Sequence, residues 1–106
     1  MADSVQYFEE NGPPFTVADQ VLSLSRRVTR IQREACEAQQ SAAESFDRSA
    51  DSHDRAAASY EQLAALDSSG NDYLEHAARH REFAQEDRQI AQRLRQMAER
   101  VCAGRL

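Results

Sequence analysis

Apolar residues recur along the first half of the chain in alternating steps of four and three. Val17, Val21, Leu24, Val28, Ile31, Ala35, Ala38 and Ala42 keep that rhythm, which marks the seam of a heptad helix. After one extra step of four it resumes at Phe46, Ala50, His53, Ala57, Tyr60 and Ala64. A slip of this kind is a stutter, which locally unwinds a coiled coil. A second stripe runs through Tyr73, His76, His80, Phe83, Asp87, Ile90, Leu94, Met97 and Val101.

Punctuation sets the element boundaries. Asn11, Gly12, Pro13 and Pro14 break any helix, so residues 1–15 read as a tail whose Tyr7, Phe8 and Phe15 offer a means of docking on a helical surface. Thr16 followed by Asp19 resembles a capping box. From Thr16 to Leu66 there is no Gly or Pro, which predicts a first helix over residues 16–66. Gly70 among small polar residues suits a turn over 67–71. A second helix is predicted over 72–103, stopped by Gly104.

Two long helices joined by a short turn make an antiparallel hairpin. With the turn at 67–71, facing residue numbers sum to roughly 139, within about one helical turn. Charge supports the pairing: residues 41–72 carry seven acids and two Arg, whereas residues 73–106 carry five acids and seven Arg. The arms are unequal, so residues 17–33 have no partner within the hairpin. They hold the densest seam, and a seam of that kind is seldom left bare. The predicted fold is therefore an all-α, coiled-coil-like antiparallel helical hairpin that assembles into a homodimeric four-helix bundle. Val17, Val21, Leu24, Val28 and Ile31 are its interface anchors. The alternative is a three-helix bundle with a break near residues 39–41.

Composition narrows the class. Leu, Ile, Val and Phe together number 18, no more than the 18 Ala. A wide core of large side chains is excluded, and thin helical packing through Ala remains. The net charge of −5 argues against nucleic-acid binding. No apolar run reaches the roughly 20 residues of a membrane span, and the acidic start lacks a signal pattern. The expectation is a cytoplasmic protein that works on neither nucleic acid nor membrane. Its partner is a second copy of itself or another helical protein.

Candidate chemistry is sparse. His76 and His80 share a helix face at i, i+4, Asp87 follows, and His53 falls opposite on the other arm. Imidazoles and carboxylates projecting into a bundle can hold zinc or iron. Against that, hydrogen-bonded polar groups at the core edge fix register without any metal. The chain contains no Glu-x-x-His pair. Cys36 and Cys102 fall beside one another in the hairpin register. They read either as a disulfide closing the open end or as two small apolar residues, kept reduced in a cytoplasm. Arg26, Arg27, Arg30 and Arg33 form the one basic cluster, read as a solvated face flanking the seam. No phosphate loop or nucleophile elbow occurs, so the chain reads as non-enzymatic.

Ser52-His53-Asp54-Arg55-Ala56-Ala57, then Tyr73-Leu74-Glu75-His76-Ala77-Ala78-Arg79-His80-Arg81, then Glu86-Asp87-Arg88 resemble segments of short uncharacterised helical proteins of actinobacteria. The resemblance covers roughly half the chain and implies helices but no activity. Length and hairpin shape are also similar to small secreted helical-hairpin proteins of the same bacteria. Those carry a Trp-x-Gly turn, and this chain has no Trp. The function expected is self-association and protein–protein contact; the alternative is a metal-binding or ferritin-like bundle.

Overall fold

The computed structural model describes residues 16–67 and 71–104. Two helices account for nearly all of them: α1, Val17–Leu66, and α2, Asn71–Cys102. They make an all-α hairpin, with no strand among the described residues. α1 runs through Gln39, Gln40 and Ser41 without interruption, which removes the alternative of a three-helix bundle broken there. The physical reason is local: the stretch contains neither Gly nor Pro and is rich in Ala, Gln and Glu, all strong helix formers. The expected tail over 1–15 lies outside the described residues, as do positions 68–70 of the expected turn.

The described residues divide into two units, one ending at Gln32 and the other beginning at Arg33. The first holds the start of α1. The Thr16 Oγ1 accepts from the Asp19 backbone N–H at 3.1 Å, and the Asp19 carboxylate accepts from the Thr16 N–H at 3.2 Å. That reciprocal pair is a capping box, which satisfies two orphan donors at the helix start. Val17, Val21, Leu24, Val28 and Ile31 are all exposed.

The second unit is the hairpin, and its core differs from the expected one. Cys36, Ala43, Ala50 and Ala57 are buried on α1, and Ala77, Ala84, Ala91 and Ala98 on α2. Both sets recur every seven residues, so they occupy one heptad position, lettered a here. The d position carries Gln39, Phe46, His53 and Tyr60 on α1, and Tyr73, His80, Asp87, Leu94 and Val101 on α2, all half-buried. A methyl group at every a position lets the helices approach closely, and the larger d side chains then lie flat across the seam.

Three expectations are corrected by this arrangement. On α2, His76, Phe83 and Met97 are exposed rather than central; the buried column lies one residue further on, at the alanines. On α1, Ala38 is exposed, and the buried line runs from Cys36 to Ala57 without a stutter. On α2 the expected stripe followed the largest apolar residues, whereas the helix axis selects the smallest; on α1 Ala50 and Ala57 are buried as expected.

The two edges of the hairpin are unlike. At position e, Arg81, Arg88 and Arg95 on α2 meet acids of α1. Arg88 reaches Asp54 at 2.6 Å and Asp51 at 3.1 Å, Arg81 pairs with Glu61 and with Asp54, and Arg95 pairs with Asp47. The Asp54 hydrogen bond holds the Arg88 guanidinium above the ordinary arginine value, and Asp47 does the same for Arg95. A raised value adds stability while the arginine and its carboxylate are both charged, and that stability is lost as pH rises into strong alkali, so this ladder brings no pH dependence near neutrality. Its work is orientation, since exposed pairs add little stability. At position g, α2 presents His76, Phe83, Ile90 and Met97, whereas α1 presents Ala35, Ala42, Ser49, Ala56 and Leu63. That edge carries no Asp, Glu or Arg at those positions.

α2 ends as its sequence dictates. Gly104 takes a positive φ of 71°, and its N–H donates to the Val101 carbonyl at 3.0 Å. Only glycine enters that region freely, which makes it the usual residue just past a helix C-terminus.

Candidate functional site

The half-buried polar groups of the hairpin converge at one level. His53 on α1 and His80 on α2 place their Nδ1 atoms 2.8 Å apart. One ring must donate and the other accept, so the contact accommodates one proton between the two nitrogens and not two. The opposite nitrogen of His53, Nε2, lies 3.9 Å from the Asp87 carboxylate. That Oδ2 is buried and has no hydrogen-bond partner. Aromatic rings wall the pair: Phe83 sits 5.3 Å from His53, and Tyr60 stacks on His80 at 5.6 Å.

Of the four residues read as metal ligands, the structure brings together His53, His80 and Asp87. It does not bring in His76, which is exposed and stacks on the Tyr60 ring at 5.0 Å. Asp87 faces the nitrogen of His53 that points away from His80. Among the described residues no group of three or more His, Cys, Asp or Glu is placed to hold a metal ion. The four-residue zinc or iron set is corrected accordingly. Its i, i+4 spacing is real and both rings face Tyr60, but His76 lies at g, outside the seam that holds His80 at d.

This geometry makes a specific demand on substitutions. His80→Leu alone strands a half-buried nitrogen of His53 and is expected to cost about 1–3 kcal/mol. His53→Leu with His80→Leu removes both partners and should bring stability back to within about 1 kcal/mol of the native chain. Urea unfolding of the three proteins decides it. A double variant less stable than the single one would show that the pair contributes more than mutual satisfaction.

Cys36 and Cys102 are joined in a disulfide, with Cα atoms 5.4 Å apart. Cys36 is buried and Cys102 is exposed. The Gln40 amide lies 3.9 Å from the Cys102 sulfur. The bond fastens the last turn of α2 to α1 across 66 residues of sequence.

The five residues expected as interface anchors lie together along the first unit of α1. Surface clefts on that helix are lined by Val21, Leu24, Ser25, Val28 and Thr29, and by Asp19, Gln20, Ser23, Leu24 and Arg27. Leu24 lines both. Arg26, Arg27, Arg30 and Arg33 are exposed, and Arg27 lines a cleft with Leu24. The g edge of the hairpin and the Arg81, Arg88, Arg95 ladder went unread in the sequence. Their signal was there, as seven-residue repeats of one residue class.

No helix among the described residues is long and apolar enough to cross a membrane. No family model matches the chain, and no curated protein or solved structure does.

Proposed function

We propose that this chain is a non-enzymatic helical interaction protein that associates with itself through residues 17–31. One observation carries the reading. Val17, Val21, Leu24, Val28 and Ile31, spaced four and three apart, are between 51% and 76% exposed. Scattered apolar residues on a surface need no explanation, but five branched aliphatics in heptad register form a continuous apolar stripe. Water is a poor partner for that stripe, and a second helix is the natural one. The flanking positions Ala18, Gln20, Ser25 and Gln32 are uncharged and Arg27 is the one exception, so two copies can approach without facing like charges in rows.

Leu24→Glu with Val28→Glu tests the reading. Each glutamate would be buried without a partner in the assembly, at a cost of several kcal/mol, while the exposed positions of a single chain tolerate it. Sedimentation at micromolar concentration should show an oligomer for the native chain and a monomer for the variant. A native chain that is monomeric throughout that range would sink the proposal. An acidic chain of this kind suits the cytoplasm. There a bond such as Cys36–Cys102 is unusual, because the surrounding thiol pool keeps cysteines reduced.

A further inference from the structure

The hairpin's two edges set up a question that its own fold leaves open. The e edge is closed by arginine–carboxylate pairs. The g edge has nothing equivalent: Phe83 is 40% exposed, Met97 48% and Leu63 43%. Its relief is asymmetric, with large side chains at Phe83, Ile90 and Met97 on α2 and small ones at Ala42, Ser49 and Ala56 on α1. A ridge beside a shallow strip is a seat for a third helix lying along the hairpin.

We propose that this seat takes residues 17–31 of a second copy of the chain, each copy lending its stripe to the other's hairpin. The proposal rests on the self-association reading above and names the surface that the stripe meets. Three observations favour this occupant. The lengths match: Val17 to Ile31 and Phe83 to Met97 each cover fifteen residues, about 21 Å of helix from first to last. Both surfaces are uncharged at their centres, so pairing them buries no unpaired charge. The area is sufficient. A fifteen-residue helix laid on a two-helix face buries on the order of 700 Å², and the reciprocal pair brings the total to about 1,400 Å², within the range of stable interfaces. A strongly charged partner peptide would find Arg27 beside the stripe and no Asp, Glu or Arg at the g positions of the seat, whereas a second copy satisfies both faces with one interaction.

Two defective variants separate this arrangement from the stripe pairing with its own counterpart. The stripe variant is Leu24→Glu with Val28→Glu. The seat variant is Met97→Glu with Phe83→Gln, with Met97→Glu alone as a milder form should the double variant fail to give the native helical circular dichroism. Each by itself should weaken self-association about tenfold or more. Mixed in equal amounts, they should associate more tightly than either alone. The stripe variant still has an intact seat and the seat variant an intact stripe, so one of the two contacts survives in the mixed pair. Stripe-to-stripe pairing predicts no such rescue, because half of its only contact is always damaged. Rescue on mixing, read by sedimentation with one variant fluorescently labelled, supports the proposal. A seat variant that associates like the native chain, or a mixture without rescue, overturns it and leaves self-association standing. A stripe variant that associates like the native chain overturns both.

Discussion

Replacing Cys36 and Cys102 together by serine is expected to lower the stability of the hairpin by about 4 kcal/mol. The bond spans 66 residues, and a loop that long confines the unfolded chain strongly. In the folded state it holds the end of α2, where Ala98 is the last fully buried residue and Val101 is half-buried. For a domain of this size each kcal/mol moves the midpoint by about 4–8 °C, so a fall of tens of degrees is expected. Thermal unfolding followed at the helical band measures it. The native chain in a dithiol reductant should then melt like the serine variant without reductant. A difference of less than about 1 kcal/mol would mean that the denatured chain already keeps its ends together.

The second large effect runs against the usual direction of core mutations. Enlarging Ala50 or Ala91 to leucine should destabilise by about 1–3 kcal/mol each. Both residues have no exposed surface, and the added side chain has no space unless the helices separate. Separation would also stretch the His53–His80 contact and the arginine ladder on the same helices. Leucine at Ala38 or Ala78, both exposed, is the control and should change stability by no more than about 0.5 kcal/mol. Urea titration under oxidising conditions provides the comparison. If Ala91→Leu proved neutral, the close approach of the two helices would be wrong.

These two sites also show what could be read without coordinates. Thr16 and Asp19 announced a helix start through a short-range hydrogen-bond pattern, and Gly104 announced a stop through its freedom at positive φ. Such signals depend on a few neighbouring residues and survive in the sequence. The facing of α1 and α2 was legible from the turn position and the charge imbalance, because hairpin geometry leaves one register. The seam was not. Large side chains at Phe83 and Met97 suggested the core, yet they stand beside Ala84 and Ala98, which occupy it. Periodicity weighted by size cannot distinguish adjacent columns when the axis of contact admits only methyl groups. His76 was misplaced for the same reason, since a shift of one column moves it out of the seam while leaving His80 in it.

The alanine column has a thermal consequence. The fully buried side chains of the described hairpin are methyl groups, and no large side chain joins them. Opening such a structure hydrates little new apolar surface, and newly hydrated apolar surface is what raises the heat capacity of an unfolding chain. Its free-energy curve against temperature is therefore shallow and broad. Warming erodes the fold gradually, and cooling brings no early loss, because little of its cohesion came from water's aversion to oil.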